Sequence, residues 1–399
     1  MKPAAYLNNL TPLRGIAAIL TVIFHADLFM GGALVPAKYS MMLTKMYLMV
    51  DFFFILSGFI MCYVYSSYFA EKVSVKAFKK FSVARFARVY PLHLVTLVYI
   101  ILMFAVSKRS GVPENMIMQA ENNGYSILTN LFLLHSMNFH NWFTWVHASW
   151  SISTEWWAYM VFPFLVKPFN RMGNIGKVAV GMLCFLGYFL IAYYVTPYVT
   201  YPKIFGWPSE TSRTSINVAY QFGYLRCLCG FILGMTMYYA YQMEWGKKVL
   251  SNGYVMALLG LGVFLSMHFY VTDLLPVAFF PFILLSGAYG SPAINRFFAA
   301  RPLQKLGDWS FSIYLVHQPL IITILNIVLY LNSPKPGEAP DSQQAPPSVI
   351  NAWMICLGVI ALVLLLSYLT YRFWEVPARK WINVKAEKNK NAVPVTINN

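Results

Sequence analysis

The chain has 399 residues, of which 58% are apolar, 17% aromatic and only 11% charged, with a formal net charge of +16. Soluble domains average about 25% charged residues, so the composition excludes a protein solvated by water alone. Nucleic-acid binding is excluded as the source of the positive charge, because the lysines and arginines lie between apolar runs instead of forming one basic patch.

A bilayer core takes about 20 apolar residues per helix. Runs of that kind fall near residues 13 to 30, 46 to 66, 90 to 106, 152 to 168, 178 to 196, 222 to 241, 253 to 270, 274 to 290, 309 to 331 and 350 to 371. Lys2 precedes the first run, no small-residue cleavage site follows, and His25 and Asp27 interrupt its end, so it is expected to stay as a signal anchor. Residues 71 to 88 carry Lys76, Lys79, Lys80, Arg85 and Arg88 among valines and phenylalanines, the pattern of an interfacial helix. The run 126 to 137 would make a helix of roughly 18 Å, too short for a core of about 30 Å. Residues 332 to 348, with Pro334, Pro336, Pro340, Pro346 and Pro347, have no helix potential. The five cysteines lie inside apolar runs without disulfide or zinc spacing, and no metal is expected.

The positive-inside rule orients these spans. With ten spans and both termini in the cytoplasm, 22 Lys and Arg lie inside, seven outside, and Arg226 within a span. If 126 to 137 also crossed, the count would become 11 inside against 18 outside. The prediction is therefore an all-α polytopic bundle of about ten transmembrane helices plus one re-entrant or interfacial helix. A membrane domain over residues 1–381 is followed by a polar cytoplasmic tail, 382–399, and no internal repeat is visible.

Ionisable side chains inside a span are costly, which makes each one a functional candidate. Arg14 and His25 are eleven residues apart in the first span, on one helical face and roughly 16 Å apart along the axis. Arg14 then sits at the cytoplasmic boundary and His25 near or beyond mid-membrane. The structural alternative has Arg14 reaching lipid phosphate and His25 bonding a neighbouring helix. Arg85 and Arg88 share a face three residues apart, suited to bidentate phosphate binding or to plain anchoring. Asp51, Ser57 and Gly58 stand in the second span, where Gly58 would admit either a ligand chain or a close helix. Trp142, Trp145, Trp150, Trp156 and Trp157 form an interfacial belt or a sugar platform, with Ser153 and Glu155 just below. Arg226, Tyr314, His317, Glu375 and Arg379 follow, each open to a role in interhelical hydrogen bonding.

In order and spacing these stretches resemble the acyltransferase 3 family of membrane acyltransferases. They are Leu13-Arg14-Gly15 with His25, Asp51-Phe-Phe-Phe-Ile-Leu-Ser-Gly-Phe59, Arg85-Phe-Ala-Arg88-Val-Tyr-Pro91, Trp150-Ser-Ile-Ser-Thr-Glu155, Tyr314-Leu-Val-His317 and Glu375-Val-Pro-Ala-Arg379. The resemblance spans nearly the whole chain. It implies essential roles for Arg14 and His25 and an acyl-CoA site at Arg85 and Arg88. It further implies a bacterial inner-membrane O-acyltransferase, most naturally an acetyltransferase, acting on a glycan or lipid-linked saccharide. Acyl-CoA would be the donor substrate, with no permanently bound cofactor and membrane lipids around the bundle. A chain ending soon after its last span is expected to be a stand-alone member without a fused esterase-like domain, acting directly or with a separate periplasmic transferase. His25 would serve as general base or acyl carrier, with Glu155 or Asp27 orienting the imidazole. The acceptor would approach over the tryptophans. The main rival is a transporter of a lipid-linked sugar or acyl group, and a structural or sensory membrane protein is a third reading.

Overall fold

The computed structural model describes residues 7–112, 121–199, 214–332 and 347–391. Most of the proline-rich segment, together with Lys2, Lys203, Arg213, Lys335 and residues 392–399 of the predicted tail, lies outside the described residues. The major helices are α1 (Leu10–Phe29), α2 (Met49–Phe69), α3 (Val75–Arg109), α4 (Gly124–Leu131), α5 (Trp150–Arg171), α6 (Asn174–Leu190), α7 (Gly223–Gln242), α8 (Gly253–His268), α9 (Leu274–Tyr289), α10 (Arg301–Leu331), α11 (Val349–Thr370) and α12 (Val376–Asn391). No strand occurs among the described residues.

Each predicted span falls on one of these helices. Among the described residues, six helices are long and apolar enough to cross a membrane, or seven if α9 and the short helix Pro292–Phe298, bent by 95°, form one span. The chain is thus a multi-pass membrane helix bundle. Three predicted spans fall below that standard for physical reasons. α8 has only 16 residues, and α5 and α7 are long enough but carry polar groups such as Ser151, Ser153, Thr154, Glu155 and Arg226, all turned into the bundle or its cavity.

Two local expectations change. The basic segment expected as a separate interfacial helix is the first part of α3, a continuous helix of 35 residues whose start is capped by Ser74. Pro91 inside it removes one backbone donor without breaking it, as apolar helices with packed neighbours tolerate. The segment 126 to 137 is helical only to Leu131, giving α4 eight residues, or about 12 Å. Asn123 and Ser126 cap its start reciprocally, and Leu133 at φ 54° ends any continuation. Beyond Trp381 the chain stays helical to Asn391.

Glycines set the register of the bundle. A Cβ on Gly15 would lie 2.6 Å from the Gly307 nitrogen, and one on Gly307 only 2.1 Å from the Thr11 carbonyl oxygen. α1 and α10 therefore cross in backbone contact. Ten residues further along both helices, from Gly15 to His25 and from Gly307 to His317, the two imidazoles meet, so α1 and α10 run parallel. α2 and α7 repeat the device. A Cβ on Gly58 would lie 1.8 Å from the Phe231 carbonyl oxygen, and one on Gly234 equally close to that of Ile55. Gly58 thus serves helix packing, not the passage of a ligand chain. Asn9 bonds Gly287 and Asn295, and Gln304 bonds Asn8, at one end of the bundle. Trp353 bonds the Leu34 carbonyl and His268 bonds Ser40 at the other.

Candidate active site

At the end that carries Asn9 and Gln304, helices α1, α2, α3, α5 and α10 enclose a cavity of about 140 Å³ lined by Arg14, Ser57, Arg85, Arg88, Glu155 and Tyr159, with Ser310 and Tyr314 among the remaining wall residues. Arg85 donates to the Tyr65 hydroxyl at 2.9 Å, while its Nε is buried without a partner. Arg88 bonds Glu375, whose other oxygen accepts from Ser312 at 2.8 Å. Glu375 ends a single π-helical turn, Tyr371–Glu375, a local irregularity that often marks functional positions. Arg14 makes no hydrogen bond or ion pair with the described residues. Glu155 accepts from the Tyr159 hydroxyl at 2.6 Å, and Tyr159 in turn lies 3.0 Å from Ser57. The Ser310 hydroxyl is buried and unpartnered.

Three guanidiniums thus face two carboxylates, one of which is committed to Arg88 and the other hydrogen-bonded to a phenol. An unpaired charge withdrawn from water costs several kcal/mol. The cavity is electrostatically incomplete and suits an anion with several acceptor oxygens, which arginine forks grip bidentately.

His25 and His317 lie next to this cavity without lining it. His25 Nδ1 is 2.9 Å from the Thr21 carbonyl oxygen and 3.2 Å from His317 Nε2, and His317 Nδ1 is 3.2 Å from the Ile313 carbonyl oxygen. A carbonyl can only accept, so in the neutral pair each Nδ1 carries its proton, and His317 Nε2 accepts a share of the His25 proton. His25 Nε2, which has no hydrogen-bond partner among the described residues, is left with a free lone pair. Tyr314 belongs to both places. It lines the cavity, its ring is 5.8 Å from that of His317, and its hydroxyl is fixed by Ser151 at 2.7 Å.

The imidazole is oriented by Thr21 and His317. Glu155 is engaged with Tyr159, and Asp27 accepts the Leu34 backbone N–H at 2.8 Å, closing the turn after α1. Asp51 and Arg226 also leave the site. Arg226 donates from Nε at 3.0 Å and from Nη2 at 2.5 Å to the two Asp51 oxygens, both side chains are fully buried, and Tyr188 adds a bond to Asp51. Trp150 covers that pair, its ring 5.3 Å from the guanidinium. Ser153 donates to the Leu133 carbonyl at 2.7 Å and holds the turn after α4. Arg379 lies half-buried on α12, away from the cavity lining. The predicted indole platform is dispersed. Trp145 donates to Ser126, Trp157 to the Leu133 carbonyl, and Trp156 packs on Phe86.

Sequence reasoning missed Tyr65, Tyr159, Ser310 and Ser312. Tyr159 carried a signal, standing four residues after Glu155, and so did Ser310, four residues before Tyr314. Tyr65 and Ser312 meet Arg85 and Glu375 only across helices distant in sequence.

The sequence model described as an acyltransferase domain, acyltransferase 3, matches residues 7–372. The chain belongs to this family. Among curated proteins it is similar to the peptidoglycan O-acetyltransferase OatA of Listeria monocytogenes, 23% identical over 97% of this chain and 58% of that protein. The O-acetyltransferase OatA of Staphylococcus aureus is 23% identical over 94% of the chain and 57% of its own length. Protein 2 in the picA locus of Rhizobium radiobacter is 37% identical over 25% of this chain and 47% of its own length. The chain thus spans somewhat over half the length of the two O-acetyltransferases. No solved structure matches it.

Proposed function

We propose that the chain moves an acyl group, most simply acetyl, from acyl-CoA in the cytoplasm to a hydroxyl of a glycan or lipid-linked saccharide at the outer face of a bacterial cytoplasmic membrane. The single observation that carries this reading is the electrostatically incomplete arginine cavity beside a histidine whose Nε2 lone pair is free. Arg14, Arg85 and Arg88 hold the donor phosphates, Glu375 positions Arg88, and Tyr314 yields to let the thioester reach His25. His25 either takes the hydroxyl proton or carries the acyl group itself. The O-acetyltransferase relatives support a glycan acceptor, and a separate periplasmic transferase is the alternative last step.

The topology that goes with this reading has ten crossings and both termini in the cytoplasm. Parallel α1 and α10, as first and ninth crossings, agree with it, as do α2 and α7 as second and sixth, which are parallel because Asp51 meets Arg226 near their starts and Ser66 meets Tyr238 near their ends. The arginine cavity then faces the compartment that contains CoA thioesters.

The test is reconstitution in proteoliposomes with labelled acetyl-CoA inside and a saccharide acceptor outside. A new ester is expected with wild-type protein and its loss, by roughly 100-fold or more, with His25→Ala. Substrate movement without an ester would instead support a transporter. Full transfer by His25→Ala at normal expression would overturn the catalytic role of His25.

A further inference from the structure

Catalysis through His25 leaves another buried histidine unused. His147 is only 7% exposed, its ring stacks on Phe143 at 5.0 Å, and its Nε2 is buried without a hydrogen-bond partner. It lies in the turn before α5, four residues ahead of Ser151 in the cavity wall. That turn is clamped to the histidine-bearing stretch of α10. The Ala148 N–H donates to Gln318 at 2.6 Å and the Ala148 carbonyl accepts from Tyr314 at 3.0 Å, so the two α10 residues that hold it bracket His317. Trp145 and Val146 pack in one apolar cluster with Phe29 at the end of α1 and Ile322 of α10.

A polar, unfinished seam runs from His93 and Asn130 to the turn that holds His147. His93 Nδ1, Asn130 Oδ1, His135 Nδ1 and Ser136 Oγ are also buried without partners. The His93 and His135 rings lie parallel, 5.9 Å apart, and His135 reaches Ser149, two residues beyond His147. Each unpartnered group costs about 1–3 kcal/mol, and water or a hydroxyl-bearing ligand is what completes such a seam. Leu133, Asn138 and Trp145, which frame it, hold left-handed backbone conformations, a strain that functional segments retain.

We infer that His147 takes the proton from the acceptor hydroxyl, on the opposite side of the His25–His317 pair from the donor. The inference rests on the acyl-transfer reading and selects the carrier route. In the first half, His25 Nε2 forms a bond to the acyl carbon, the C–S bond breaks onto sulfur, and the Nδ1 proton leaves by way of His317 to give the thiol. In the second, the hydroxyl proton passes to His147, its oxygen bonds the acyl carbon, and the N–C bond returns its pair to His25. The proton on His147 then replaces the one lost with the thiol.

First-turnover thiol release from acetyl-CoA and ester formation on the acceptor separate the two halves. His147→Gln should cut ester formation about 100-fold while thiol release stays within twofold of wild type. His147→Gly should regain ester formation with added imidazoles, the more so the more basic the imidazole. Wild-type ester formation by His147→Gln, loss of both half-reactions together, or no rescue of the glycine variant would each overturn the inference. Absence of any ester with the wild-type protein would instead defeat the acyl-transfer reading on which it rests.

Discussion

The bundle holds arginine beside carboxylate in two places, and the two are built differently. Arg226 and Asp51 close on each other, with both carboxylate oxygens used, a tyrosine added and an indole face above the guanidinium. Around the cavity, Arg88 alone has a carboxylate, Arg85 keeps a buried donor unpaired, and Arg14 has no partner among the described residues. A closed pair needs nothing further, so it joins helices. An open set leaves charge that a ligand could complete, which is why the proposed donor site is placed there.

Breaking the closed pair should have the largest effect. Asp51→Ala leaves a buried guanidinium unpaired and should cost about 3–5 kcal/mol, read as thermal unfolding and loss of folded protein in detergent. Replacing both partners with apolar side chains of similar volume should return most of that stability, an outcome that would separate architecture from ligand binding. The open set should respond in the opposite sense. Arg85→Ala and, separately, Arg88→Lys, which keeps a cation beside Glu375, should each raise the KM for acyl-CoA by tenfold to 100-fold, about 1.5–3 kcal/mol for the lost charge-assisted bond, with little change in unfolding temperature. A stability loss without a KM change would make these arginines mere anchors.

Smaller effects sharpen the contrast. Gly58→Ala, which drives a methyl into the Phe231 carbonyl, should destabilise α2 against α7 by about 1–3 kcal/mol and leave the donor KM alone. Glu375→Gln keeps an acceptor for Arg88 but removes the charge, so a rise in KM of about tenfold is expected, the size of one weakened charged hydrogen bond. His317→Gln should lower kcat with KM for acyl-CoA unchanged, because it touches His25 and not the arginine cavity.

Helix positions were legible in the sequence because apolar run length is a local property. So was the shared face of Arg14 and His25, since helical geometry converts spacing along one helix into direction. The same rule shows why Arg85 and Arg88 share a cavity wall and how Glu155 and Tyr159 come to hydrogen-bond. The helical continuity through Pro91 and the early end of α4 were not legible, because both depend on what packs around them.

Which polar group meets which across helices was decided only by the fold. Sequence spacing gives Asp51, Arg226, Glu375 and Arg88 the same standing, since each is a costly charge in an apolar chain. The glycine contacts Gly15–Gly307 and Gly58–Phe231 fix the register between distant helices, and that register pairs Asp51 with Arg226 and His25 with His317. By itself the sequence determined a multi-pass helical protein with a set of charges too expensive to be incidental. The tertiary structure decided which of those charges neutralise each other and which remain open, because burial and partnership are properties of surfaces brought together and not of any one segment.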